Sequence, residues 1–329
     1  MQRALFLPIT CGLLLVAISP PVQASSILME SSFQIAQVTA DDLLNQGLAK
    51  LKRGNNSGAI DDFNAVIDRA PNLPDGYYYR GLARRELKDW QGAIADFNQA
   101  LRLDPRDAAA YTDRALVYVE LGKKQAALTD LTQAIALQPI NYNAYYQRGL
   151  IQERSYNREA AIADYSAAIN LKPDYALAYL RRGLSYEALG QNQSAIADFT
   201  EAIRYDPSLV EAYENRGVAR RQNQDLTGAI GDYTLAIKYN RVNPNSYYNR
   251  AIAYQQLGNM QAAISDYTMA TRIDPNFASA YGNRGALRYQ LGDRPGALAD
   301  LRTAARLFSN QRLTAEFQKT VELIRQIMP

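Results

Sequence analysis

Apolar and small residues recur along this chain at a three-to-four spacing that resets every 34 residues. Between residues 176 and 189, Tyr179, Gly183, Leu184, Tyr186 and Leu189 fall on one face, the signature of an amphipathic helix. Gly190 interrupts it. Between 194 and 205 the spacing returns with Ala195, Ile196, Phe199, Ala202 and Ile203, and Asp206-Pro207 closes the segment, because proline disfavours helix in the residue before it. The pattern predicts a helical hairpin, and a step of 34 residues in either direction finds it again. Arg80, Arg114, Arg148, Arg182, Arg216, Arg250 and Arg284 follow one another at that interval without an insertion, and Gln46 holds the column one period earlier. Eight units therefore fill residues 40–311, as 40–73, 74–107, 108–141, 142–175, 176–209, 210–243, 244–277 and 278–311. Such a period marks a stack in which each unit contacts only its neighbours, so the chain reads as one elongated all-α domain.

Other columns explain the stacking. Ala59, Ala93, Ala127, Ala161, Ala195, Ala229, Ala263 and Ala297 occupy one position in every unit. Gly47, Gly81, Gly149, Gly183, Gly217 and Gly285 occupy another, with Ala115 and Ala251 in the remaining two units. These small residues let the paired helices approach, and two aromatic columns are expected to fill the core. One is Tyr77, Tyr111, Tyr145, Tyr179, Tyr213, Tyr247 and Tyr281; the other is Phe63, Phe97, Tyr165, Phe199, Tyr233 and Tyr267, with Leu131 and Leu301.

An aromatic residue, glycine four positions on, then alanine, Phe or Tyr, and proline at fixed offsets match Tyr77, Gly81, Ala93, Phe97 and Pro105. In this the chain resembles the tetratricopeptide-repeat (TPR) family across residues 40–311. The resemblance implies a right-handed superhelical solenoid of eight 34-residue helix-turn-helix repeats with a concave, protein- or peptide-binding groove. Some positions depart from the family pattern: arginine stands where the family has leucine before the glycine, Arg241 replaces proline in the sixth unit, and Ser155-Tyr156 replaces Leu-Gly in the fourth. Local irregularity is expected at the last two.

The flanks read differently. Residues 1–24 carry Arg3, an apolar run from Ala4 to Ile18, Pro20-Pro21 and a Val22-Gln23-Ala24 cleavage site, the layout of a secretory signal peptide. The run is too short for a spanning helix. Export is therefore expected, to a periplasmic or secreted location, or a lumenal one in a photosynthetic organism. Cleavage would remove Arg3 and Cys11, lowering the net charge from +3 to +2 and leaving no cysteine. Residues 25–39 read as a flexible tether, and Thr39 with Asp42 as a capping pair opening the first helix. At the other end, Leu313, Phe317, Val321, Ile324 and Met328 align along a helix over 311–327, expected to cap the stack within residues 312–329.

Composition narrows the chemistry. There is no histidine, and Cys11 is the only cysteine, which removes Ser-His-Asp relays, imidazole metal sites and thiolate nucleophiles. Neither a P-loop nor GxGxxG occurs. The small, evenly spread charge lacks the basic face of a nucleic-acid binder. No cofactor or metal is implied.

Two polar patterns remain. The arginine column is matched by Asp62, Asp96, Asp130, Asp164, Asp198, Asp232, Asp266 and Asp300, readable as an anion-binding comb or as a repeated structural ion pair. The matching numbers favour the pair, within one hairpin or between adjacent ones. Outside the repeated columns, Tyr78, Tyr79, Tyr146 and Tyr248 adjoin the core tyrosines on another side of the helix. Asn215, Asn249 and Asn283 form a 34-residue ladder with Arg181 in the same column. In the TPR family this side lines the groove, so these eight residues are the expected partner-binding site. Tyrosine supplies rigid apolar contact with a polar tip, and asparagine both donates and accepts. The family's chaperone-tail clamp is not expected, because its groove lysines are replaced by Tyr78, Thr112 and Tyr146. The expected function is an exported, non-enzymatic scaffold for a protein or peptide partner in assembly of a larger complex. A glycan-binding module of envelope or polysaccharide assembly is the alternative, and a carboxylate-based hydrolase a more distant one.

Overall fold

The computed structural model describes residues 38–328, so the expected signal peptide and most of the expected tether lie outside the described residues. Seventeen α-helices and no strand occur among the described residues. They form eight hairpins followed by one further helix, Thr314–Ile327. The first seven hairpins each pair a 13-residue first helix with a 14-residue second helix, as in Ala176–Ala188 and Asn192–Tyr205. The opening helix, Ala40–Lys52, has the expected capping box: Thr39 accepts from the Asp42 amide, and the Asp42 carboxylate accepts from the Thr39 amide.

The turn inside every hairpin uses one left-handed residue, at Gly54, Lys88, Gly122, Tyr156, Gly190, Gln224, Gly258 and Gly292. Ser155-Tyr156 therefore does not break the regularity: Tyr156 adopts φ 61° with its ring exposed, at the steric cost that glycine avoids. Nor does Arg241. Asn240 keeps the extended conformation at the end of its helix, and its side chain accepts from the Val242 amide, an Asx turn standing in for proline. The eighth unit has Phe308-Ser309 at this place and neither device, and its second helix runs on to 17 residues, Arg294–Asn310.

The second aromatic column is the core. Phe63, Phe97, Leu131, Tyr165, Phe199, Tyr233 and Tyr267 are fully buried and Leu301 nearly so. Each ring lies against the glycine column: a methyl added to Gly183 would sit 2.7 Å from Phe199, and one on Gly47 2.5 Å from Phe63. Where Ala115 replaces glycine, it packs in the same cluster as the smaller Leu131.

The first tyrosine column does something other than fill the core. Tyr213 and Tyr247 are buried, but Tyr77, Tyr111, Tyr145, Tyr179 and Tyr281 are only half-buried. Each of the seven rings lies 5.2–5.9 Å from the guanidinium carbon of the arginine three residues on, a cation–π contact. The arginine in turn reaches in two directions. Its Nε and one terminal nitrogen form a bidentate pair with the aspartate 16 residues later in its own hairpin, closest approach 2.6–2.7 Å in all seven. Its other terminal nitrogen donates to a polar side chain 16 residues earlier, on the preceding repeat: Asn64, Asn98, Thr132, Ser166, Thr200, Thr234 or Thr268. Arg84, Arg220 and Arg288 add a second cation to Asp96, Asp232 and Asp300, and Lys50 is the one cation on Asp62, where Gln46 replaces the arginine. The ladder is structural, and its ion pairs lie within hairpins.

The closing helix covers the last repeat, in a rotation different from that expected. Phe317, Thr320, Leu323, Ile324 and Ile327 face the stack, packing on Leu301, Ala304, Leu307 and Phe308. Leu313 and Met328 stay exposed at its two ends. The preceding helix runs to Asn310 and this one begins at Thr314.

Two measurements test these assignments. Arg182→Ala should destabilise the fold by about 3 kcal/mol in chemical denaturation, since it strands a buried carboxylate, whereas Ser166→Ala should cost about 1 kcal/mol. A neutral Arg182→Ala would contradict the structural role of the ladder. Tyr156→Gly should stabilise by about 1 kcal/mol by relieving the left-handed residue; a loss of stability would show that the exposed ring makes contacts of its own.

Candidate functional site

The first helices of successive repeats touch one another, whereas the second helices touch only their sequence neighbours. Curvature therefore places the first helices inside, and their free sides make the inner face of the solenoid. The columns that reach it begin with Tyr78 and its equivalents and continue one and seven residues further along each helix.

The expected site residues divide on this face. Tyr78, Tyr146 and Tyr248 were expected to be open to a partner; the structure closes Tyr146 and leaves Tyr78 and Tyr248 half-buried, as Tyr79 is. Tyr146 is buried, and each ring packs on the core aromatic of its own hairpin, Phe97, Tyr165 or Tyr267, at 5.8–6.0 Å between centroids. The Tyr78 hydroxyl donates to Asp113 of the next repeat at 2.8 Å, and burial followed by that carboxylate pushes its pKa far up. Tyr248 accepts from Asn283 Nδ2 at 3.1 Å, so these two expected site residues satisfy each other. The fifth repeat has Leu180 at the tyrosine position, and it is fully buried; it belongs to the packing rather than lying outside it. Inter-repeat contact covers part of this column because the inner helices converge.

Tyr79, Arg181, Asn215 and Asn249 are half-buried and face inward. Tyr79 stacks on Phe63 at 6.0 Å and meets Tyr78 edge-on at 5.0 Å. Asn215 Nδ2 donates to the Glu211 carbonyl of its own helix, whereas Asn249 makes no side-chain hydrogen bond among the described residues. Arg181 has an Nε that is buried without a partner, and Glu211, Glu153 and Tyr146 surround it.

Sequence reasoning missed a second inner column, Arg85, Val119, Glu153, Glu187, Arg221 and Gln255. It lies seven residues after the tyrosine column and so on the same face. Core tyrosines reach through to it: Tyr165 donates to Glu153 at 2.6 Å and Tyr267 to Gln255 at 3.0 Å. Arg85 holds Asp113 and Glu86. Burial raises the Asp113 pKa, opposed by Arg85. In the sixth repeat Arg221 lies beside Tyr233, whose burial pushes its pKa up to about 12, and both the Arg221 Nε and the Tyr233 hydroxyl are buried without partners. Glu187 is the other unusual member, with a pKa raised by burial alone. Among the described residues no cluster of carboxylates converges to hold a metal ion, and no helix is long and apolar enough to cross a membrane.

Glu187 supplies a pH prediction. Its folded pKa lies above the ordinary 4.5, so its ionisation opposes folding, and stability falls as pH rises through that raised value. Glu187→Gln should leave the melting temperature unchanged near pH 4 and raise it by about 1–2 °C at pH 7. An equal shift at both pH values would contradict the assignment.

Comparison with known proteins supports the architecture. Profiles described as tetratricopeptide repeat match residues 44–108, 80–149, 180–241 and 244–277, and one described as TPR repeat matches 157–190. No curated protein matches the chain. Among solved structures, the C-terminal part of a TPR repeat-containing protein from Cytophaga hutchinsonii is 17% identical. It covers 72% of this chain and 97% of its own, with a TM-score of 0.62. A tetratricopeptide repeat protein from Parabacteroides merdae is 20% identical, with 78% and 99% covered and a TM-score of 0.54. YrrB, described as a TPR protein with an unusual peptide-binding site, is 19% identical, with 56% and 95% covered and a TM-score of 0.52. These likenesses are of fold. With the 34-residue columns, the paired helices and the matched profiles in agreement, the chain belongs to the tetratricopeptide-repeat family.

Proposed function

We propose that this chain is an exported, non-enzymatic scaffold that holds an extended protein or peptide partner along its inner face and helps assemble a larger complex. The observation that carries the reading is polar capacity left unused on that face. The Arg181 and Arg221 Nε groups are buried without acceptors, and the Asn249 amide is unengaged among the described residues. Buried donors without partners are costly, and a bound backbone supplies acceptors in a row. The TPR family acts in protein interaction, and a solved protein of the same fold is described as peptide-binding. Export rests on residues 1–24 of the sequence alone.

A glycan ligand is less well supported than the sequence suggested. That reading drew on Tyr78 and Tyr146 as stacking platforms; Tyr146 is buried, and Tyr78 is packed between Tyr79 and Phe97.

Crosslinked pull-down from the exported compartment tests the proposal. Arg181→Ala with Asn249→Ala should weaken the recovered partner on the order of tenfold, or ~1.4 kcal/mol, with helicity unchanged. Full retention would move the partner to another face, and recovery of the chain from the cytoplasm alone would overturn export.

A further inference from the structure

Among the described residues the inner face carries a half-open cleft at the ends of its first helices, and a smaller one beside Tyr248 and Asn283. The larger, of about 440 Å³, opens across the second, third and fourth repeats. That size lies toward the lower end of the range of small-ligand pockets and accommodates one or two side chains. Leu116, Val119, Leu150 and Ile151 line it with Trp90, the only tryptophan of the chain.

Two hydrogen-bonded groups keep this recess open. Val119 is the short member of its column; on one side Arg85 forms part of the cleft wall, and on the other Glu153 turns away from it. Arg85 is held by Asp113 and Glu86, and Glu153 by the Tyr165 hydroxyl. Neither is free to fold over the apolar floor. At the rim, the charges of Lys88 and Arg154 have no ion-pair partner among the described residues, with Glu120 the one unpaired carboxylate beside them. Arg85 offsets only one of its two carboxylates, so the charges around the cleft sum to zero, and Lys88 and Arg154 are the cations that no acid engages among the described residues.

We propose that this cleft is a specificity pocket for a partner segment carrying a bulky apolar side chain next to a carboxylate. The apolar group, of leucine, methionine or phenylalanine size, lies against Trp90 and Val119, and the acid meets Lys88 and Arg154. This rests on the inner-face reading above and adds to it the residue pair that the partner must present. An apolar anchor in a desolvated pocket with a charged rim is the arrangement that concentrates binding energy in few residues.

Trp90 makes the pocket its own reporter. A display library of random linear dodecapeptides selected on the full chain should enrich an apolar residue followed or preceded by Asp or Glu. The enriched synthetic peptides should shift Trp90 fluorescence on titration. Val119→Phe, which fills the floor, should weaken them at least tenfold, and Lys88→Glu with Arg154→Glu on the rim should do so about fivefold, with unchanged circular dichroism. Because the rim residues are exposed, their variant keeps the test valid if Val119→Phe disturbs packing.

Peptides that bind without moving Trp90 and are indifferent to all three substitutions, yet are lost on Arg181→Ala with Asn249→Ala, would overturn the pocket while sparing the inner-face reading. Failure of any peptide to enrich would count against both. A Trp90 emission that shifts with protein concentration alone would mean that a second copy of the chain occupies the cleft, and would overturn the partner assignment.

Discussion

The arginine that begins each inner turn is the constraint on which the stack depends. A hairpin with a glycine facing a ring closes on itself without help, but nothing in that packing fixes where the next hairpin sits. The arginine does so by bonding forward to an aspartate of its own hairpin and backward to Asn64 or its equivalents on the previous one. Its charge is met by the carboxylate and a tyrosine face, so a group costly to bury becomes a fixed joint. Because the fork is planar and bidentate, lysine could not replace it with the same geometry.

Much of this was legible in the sequence. Arginine and aspartate recur in equal phase, and their spacing of 16 residues is that of two facing helices. The core column and the hairpin boundaries were equally plain, since a 34-residue period repeats the same local instruction. What the sequence withheld was orientation between repeats. Tyr77 and Tyr78 are neighbours on one helix, and which of them meets the adjacent repeat depends on the angle at which hairpins stack. The two columns share the burial: Tyr77 flanks a guanidinium, and Tyr78 packs on Phe97 while its hydroxyl reaches the next inner helix at Asp113.

The same limit explains the candidate site. Tyr79, Arg181, Asn215 and Asn249 were found because they depart from the repeat. Arg85, Glu153, Glu187 and Arg221 depart from it too, but their importance depends on core hydroxyls of Tyr165 and Tyr233 reaching the inner face. Only tertiary structure shows that a Phe-to-Tyr exchange in the core is paired with a polar residue on the surface. The site is in this sense partly written in the interior, where a reading of surface positions does not look.

The joint has one incomplete member. In the first hairpin Gln46 stands in the arginine column, and Asp62 is met instead by Lys50 at 2.7 Å, a single ammonium on a more exposed stem. The far end has the opposite character, with two arginines on Asp300 and a further helix laid over it. In a stack whose stability is a sum over neighbours, such asymmetry gives unfolding a direction: the amino-terminal hairpin frays first and the carboxyl-terminal end holds longest. The two ends of the inner face are therefore held unequally, by one ammonium at the first hairpin and by two guanidinium groups and a covering helix at the last.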